Sequence, residues 1–336
     1  MLLRSITKKM GRVGRASPCT LNVLEYRKLT RMIIKKKEHW FRMLFVIQGS
    51  VLPQIVPRLL MLLLFSVLVV YFRGTMFHQK IPLNPAPFTL FGIALALFLG
   101  FRNSASYDRF WEARKLWGAL VFQTRSLARQ ALTLCNYPAQ SKEPTIFIQY
   151  LIAFTYALKH QLRQTDAGAD LERIIPGQLA EQLKPVIFKP VLLLKEMGLW
   201  VRKAKEAGQI DSIQQASFDT NLDKLCEILT GCERIANTPI PYTYSIILHR
   251  TVYIYCFMLP FGFVDSLGWI TPLVVTFIAY TFVALEALAD EIEEPFGLAP
   301  NDLALDTMSR TIERTLHEMN GEVLVKDDKP ANYFIT

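Results

Sequence analysis

The chain is poor in the residues from which soluble active sites are usually assembled. Its five histidines (His39, His78, His160, His249, His317) never pair at metal-ligand spacing. Its five cysteines (Cys19, Cys135, Cys226, Cys232, Cys256) are scattered and include no Cys-x-x-Cys. An odd number at such spacing argues against a disulfide framework or a zinc site and leaves reduced structural thiols. The phosphate-cradling Gly-x-x-x-x-Gly-Lys and Gly-x-Gly-x-x-Gly loops are absent, as is the Gly-x-Ser-x-Gly elbow. His317-Glu318 continues as Met-Asn-Gly, not towards a second His. No segment alternates for long in the manner of a strand. The basic clusters lack the interleaved aromatics of a nucleic-acid groove. An enzyme and a nucleic-acid binder are therefore unsupported, and no cofactor is expected.

What is abundant is apolar. Hydrophobic residues make up 51% of the 336 positions, yet 20% are charged and the net charge is +9. With a mean hydropathy of +0.23, membrane and water-facing parts must coexist. A bilayer-spanning helix needs about 20 mostly apolar residues. Four segments approach this: about 51–72, 81–101, 240–263 and 269–289. Only the second is free of charge, since Arg58 interrupts the first and His249 and Arg250 the third. An Arg at mid-bilayer costs about 2.5–3.5 kcal/mol on insertion scales, so Arg58 and Arg250 should snorkel, pair, or face protein and water.

Charge sets the orientation. Lys8, Lys9, Arg12, Arg15, Arg27, Lys28, Arg31 and Lys35 to Lys37 crowd the N-terminus, and most other basic residues fall after Phe101 or near the C-terminus. The two short links between spans carry almost none. Lys and Arg accumulate on the cytoplasmic side, which predicts cytoplasmic termini, a cytoplasmic middle section and external links. Residues 1–31 are basic and weakly periodic, lack a signal-peptide core, and are expected to be disordered or to precede the true start. Residues 32–325 form the expected folded unit, with 326–336 as a tail.

The middle, Arg102 to Pro239, reads as helices. Thr145 to Arg163 and Ser212 to Ile235 show helical apolar spacing, whereas Leu171 to Ala207 is broken at Pro176, Pro185 and Pro190. The fold class predicted is all-α, with four transmembrane helices continuous with a cytoplasmic helical body. The join is Ile81 to Leu120, apolar at first, then polar and aromatic, with no breaker between. Two stripes at a spacing of four run down it: Gly92, Ala96 and Gly100, and, roughly 100° around, Ile93, Leu97 and Phe101. The small stripe admits close approach of another helix. The large one can line a path or belong to the core of a bundle. Arg102 and Asn103, directly after Phe101, predict a wet space just below it. Glu286, Asp290, Glu291, Glu293 and Glu294 read either as a cation-attracting ring or as a solvated helix end.

The run FRNSASYDRFWEARKLWG (Phe101 to Gly118) resembles the signature of the bestrophin family in its bacterial branch. EEPFG (Glu293 to Gly297), LKHQLRQTDAGADL (Leu158 to Leu171) and LTGCERIANTPIPYTY (Leu229 to Tyr244) are similar to that branch as well. The match runs in order from about Met32 to Gly321. It implies a homopentameric ion channel with a membrane neck lined by the second helix and a second constriction in the cytoplasmic body. On that pattern the neck falls on Ile93, Leu97 and Phe101, the cytoplasmic aperture on Ile213, and an acidic, cation-binding position at the exit on Asp302. The acidic run that follows Pro-Phe-Gly in calcium-gated members is replaced here by Leu298, Ala299 and Pro300, so calcium independence is expected. Aliphatic Ile93 and Leu97 lack the electropositive edges of aromatic rings, which with the acidic cluster tilts the expectation to cations such as sodium. A chloride channel of the same architecture and a non-conducting membrane scaffold or sensor are the alternatives. The partners expected are further copies of the chain, small monovalent ions and the bilayer of a bacterial inner membrane.

Overall fold

The computed structural model describes residues 49–72, 85–138 and 140–323, together with Phe41, Ile47 and four two-residue strands. These strands form two antiparallel ladders, Met32–Ile33 with Phe334–Ile335 and Thr75–Met76 with Gln79–Lys80. The expectations for residues 1–31 lie outside the described residues, as do those for 326–336 apart from the strand at 334–335. Everything else with regular structure is helical, so the all-α expectation holds.

Among the described residues ten α-helices with stated bounds follow in chain order: α1 (Leu52–Tyr71), α2 (Pro85–Thr133), α3 (Glu143–Arg163), α4 (Gly168–Ile174), α5 (Gly177–Leu183), α6 (Lys189–Glu206), α7 (Ser212–Asn237), α8 (Tyr242–Leu267), α9 (Thr271–Glu293) and α10 (Leu305–Met319). Among the described residues three stretches are long and apolar enough to cross a membrane, around α1, the first part of α2, and Tyr242–Glu293. The third is α8 and α9 together. A short 3-10 turn at Gly268–Ile270 separates them, and Gly268 has φ +52° with ψ −128°, a conformation a side chain would strain. Tyr255 of α8 packs edge-on against Phe282 of α9 at 5.4 Å, so the two helices fold back on each other.

Two hydrophobic cores result. One joins α1, α2, α8 and α9 through residues such as Ile55, Leu62, Leu99, Val252, Leu259 and Val283. The other joins the lower part of α2 to α3, α6, α7 and α10 around Trp117, Phe147, Phe154 and Phe218. The 49 residues of α2 serve both, and no break occurs at the join. At 1.5 Å per residue that helix is roughly 73 Å long, more than twice a hydrocarbon core. Exposed aromatics mark its surroundings: Tyr71 and Trp269 at one end of the apolar bundle, Tyr242 at the other, as interfacial belts require.

The prolines behave as their geometry dictates. Pro176 caps α5, and Pro190 occupies the first turn of α6 instead of breaking a helix there, because the missing N–H is unneeded in a first turn. α7 opens with a reciprocal capping box between Asp211 and Gln214.

Candidate functional site

The upper part of α2 has one face inside the bundle and one outside. Gly92, Leu95, Leu99, Arg102 and Ser106 are buried, a seam at steps of three and four. Ile93, Leu97 and Phe101 are 64%, 56% and 59% exposed. Three large apolar side chains thus leave the subunit on one face of a helix whose opposite face is fully packed. The subunit's own core does not use them.

The small stripe divides. Gly92 is required within the subunit, because a Cβ there would lie 2.5 Å from the Tyr255 hydroxyl oxygen, and that hydroxyl donates to the Phe88 carbonyl at 3.2 Å. Ala96 is exposed, and a Cβ on Gly100 would meet nothing within 4 Å. Those two positions stay open to a helix from elsewhere.

Below Phe101, Arg102 and Asn103 turn to partners within the chain. Arg102 is buried and its guanidinium pairs with Asp290 and Glu293 of α9. Asn103 donates to the Leu99 carbonyl at 2.9 Å and the Leu285 carbonyl at 3.1 Å. Both hold α2 to α9. Glu286 is almost wholly buried and accepts a hydrogen bond from His249, while Glu291 accepts from Asn301 at 3.0 Å. Four of the five acidic residues offered for a cation ring are therefore committed inside the subunit.

Asp302 is likewise engaged within the chain. It is 5% exposed, and its carboxylate accepts the Ala299 N–H at 2.6 Å, closing the turn after Pro-Phe-Gly. A Cβ on Gly297 would strike its Oδ2, so Gly297 is what lets the carboxyl fold inward. Burial pushes this carboxyl up to about 7 despite the Ala299 N–H, with Glu291 adding to the rise. Among the described residues no three His, Cys, Asp or Glu side chains cluster as a metal site.

Ile213 stands at the opposite extreme, 81% exposed in the first turn of α7. The Gln214 side chain next to it donates to the Leu134 carbonyl at 3.0 Å, just beyond the end of α2. One helix therefore connects the level of Ile93 to the level of Ile213 over 40 residues, roughly 60 Å.

One connecting residue went unnoticed in the sequence. Arg109 of α2 donates from three nitrogens to three backbone carbonyls: Glu293 at 2.8 Å, and Thr238 and Ile235. These are carbonyls at the C-terminal ends of α9 and α7, the groups a helix leaves without intrahelical partners. Arg234 of α7 also pairs with Glu112. Helices α2, α9 and α7 are thus pinned at one guanidinium, whose planar fork suits three acceptors as an ammonium would not.

The described cysteines, Cys135, Cys226, Cys232 and Cys256, carry no disulfide. Burial pushes Cys135 to about 11 and Cys232 to about 12, so neither is a reactive thiolate.

Residues 32–318 match the family model described as Bacterial/Fungal Bestrophin protein. The voltage-dependent anion channel-forming protein of Ralstonia nicotianae is 46% identical over 304 residues, covering 90% of this chain and 99% of that protein. The voltage-dependent anion channel-forming protein YneE of Escherichia coli is 41% identical over 291 residues, covering 87% and 95%. Among solved structures, a bacterial bestrophin homolog from Klebsiella pneumoniae superposes with a TM-score of 0.77 at 43% identity, covering 80% of this chain and all of that one.

Proposed function

This chain belongs to the bacterial and fungal bestrophin family, a family of membrane ion channels and not of enzymes, and we propose that it forms a passive pore for small monovalent ions from five identical subunits. The observation that carries this reading is the outward stripe of Ile93, Leu97 and Phe101 on α2. A single four-helix bundle has no room for a hydrated lumen, so conduction requires symmetric copies around an axis. Five copies of the stripe make three stacked apolar rings, which gate by excluding water when narrow. Ala96 and Gly100 let neighbouring copies of α2 approach closely. Ile213, exposed on α7, supplies a second ring in the helical body. Residues 32–325 constitute the channel-forming unit. The charge distribution supports an inner-membrane protein with both termini and the body in the cytoplasm.

Two considerations pull on the sign of the ion. The names of the relatives from Ralstonia nicotianae and Escherichia coli say anion, and the acidic cluster that suggested cations is internally paired. The anion reading therefore leads. Sodium is the second reading, favoured by the aliphatic side chains of Ile93 and Leu97, which offer an anion no positive ring edge. Asp302, enclosed in its turn, supports neither.

Purified protein in planar bilayers under a sodium chloride gradient tests both levels. A steady current supports the channel. A reversal potential near the chloride equilibrium value supports the anion reading, and one near the sodium value replaces it. Silent bilayers from protein that remains folded and oligomeric overturn conduction and leave the scaffold.

A further inference from the structure

We propose that Arg58, His249 and Arg250 form a binding site for the phosphate of an anionic lipid in the leaflet nearest the helical body. This rests on the membrane placement of α1 and α8, and not on conduction. Arg58 lies six residues after Leu52, where α1 begins, and His249 and Arg250 lie seven and eight after Tyr242, where α8 begins. At 1.5 Å per residue all three sit about 9–12 Å in from the same ends of their helices. All three are exposed. Charged side chains at that depth reach back towards the headgroups along their own apolar stems.

Two of the three meet at Tyr253, and Arg250 lies on α8 three residues before that tyrosine. His249 and Tyr253 are one turn apart on α8, their rings 4.5 Å between centroids. Arg58 of α1 donates to the Tyr253 hydroxyl at 3.1 Å, which brings the guanidinium from the neighbouring helix onto the same surface. That bond engages Nη1 of the Arg58 fork, so donors remain for another acceptor. The Arg250 side chain has no hydrogen bond or ion pair among the described residues. Glu286 of α9 is almost wholly buried and accepts from His249, fixing the imidazole. Its second oxygen has no partner among the described residues. The patch carries two exposed arginine charges against one buried carboxylate.

A lipid phosphate fits this better than a free anion. The site opens sideways from a bundle whose exposed neighbours are Val56, Leu60, Ile247 and Ile254, which suit acyl chains. A phosphodiester also supplies several acceptor oxygens to guanidinium forks, and anionic leaflets attract such side chains by about 1 kcal/mol, a factor of about five, per positive charge.

The test is native mass spectrometry of the purified oligomer, released from bilayers made of equal parts phosphatidylglycerol and phosphatidylcholine. Wild type should retain phosphatidylglycerol in preference to phosphatidylcholine. Arg250→Gln, which breaks no bond within the subunit, should lower that retention about fivefold, and Arg58→Gln with Arg250→Gln roughly twenty-five-fold. Arg250→Lys should restore most of it, with the oligomer mass unchanged throughout. Equal retention of the two lipids, or of phosphatidylglycerol by wild type and the double variant, overturns the site. So does displacement of the lipid by glycerol phosphate at comparable concentration, which makes the ligand a free phosphate. A double variant that alters oligomer mass but not lipid count makes the patch a subunit contact. None of these outcomes depends on whether current flows.

Discussion

The two halves of α2 each bury one side and differ in what the other side shows. In the lower half Trp117, Leu120 and Leu127 are fully buried in the helical body, and in the upper half Leu95 and Leu99 are buried in the bundle. The outer side of the upper half carries Ile93, Leu97 and Phe101, whereas that of the lower half is mostly charged, with Asp108, Arg114, Lys115, Arg125 and Arg129 exposed beside Phe122. Burial of the opposite seam by Leu95 and Leu99 means the upper face is not surplus core. The difference separates side chains selected for packing from side chains available for an axis.

Mutations that strike the two halves should part company on stability. The largest loss is expected at Trp117→Ala, about 3–5 kcal/mol of folding stability in detergent, because a fully buried indole leaves a cavity. Thermal unfolding followed by circular dichroism checks it, and a shift no larger than that of Ile93→Ala would erase the contrast. Next is Arg109→Ala, which strands three helix-end carbonyls and should cost on the order of 3 kcal/mol. Arg109→Lys should recover only part of that, since one ammonium cannot reach three acceptors in a plane.

A smaller, pH-dependent effect belongs to the turn that joins the halves' neighbours α9 and α10. The folded carboxyl of Asp302 is raised above its ordinary value of 3.8 to about 7, so its contribution is fully present below the ordinary value and is lost as pH rises through about 7. Between pH 6 and pH 8 unfolding stability should fall by about 1.4 kcal/mol on this account. Asp302→Asn should flatten that slope in a melting series. Asp170 has the opposite sign. Burial raises it, but hydrogen bonds from His160 and Lys159 outweigh burial and leave it down at about 2. Its contribution is present above the ordinary carboxylate range and disappears only as pH falls towards 2. The smallest stability change is expected at Ile213→Ala, within about 0.5 kcal/mol for so exposed a position, and any change there should instead be seen in conductance.

Much of this was readable before the fold was known. The uninterrupted run from Ile81 to Leu120 announced the long helix, and spacing alone found Ile93, Leu97 and Phe101. The fate of Arg102 was also written there, because steps of three and four from Gly92 through Leu95 and Leu99 arrive at it on the buried seam. Its adjacency to Phe101 in sequence suggested a place facing the wet space instead, although neighbours on a helix face about 100° apart. Arg109 left no such trace. Its partners are backbone carbonyls of residues 126 to 184 positions away, and carbonyls have no letter in a sequence. Asp302 was assigned by pattern, and only the fold of the Pro-Phe-Gly turn reveals that Gly297 makes room for its carboxyl to turn inward.

The claim that the exposed stripe of α2 surrounds an ion path is tested most directly by single-channel recording of Leu97→Ala beside wild type. A wider, better-hydrated ring should raise conductance while the melting temperature stays the same. An unaltered current from a folded Leu97→Ala channel would put that face against lipid or a neighbour and contradict the neck.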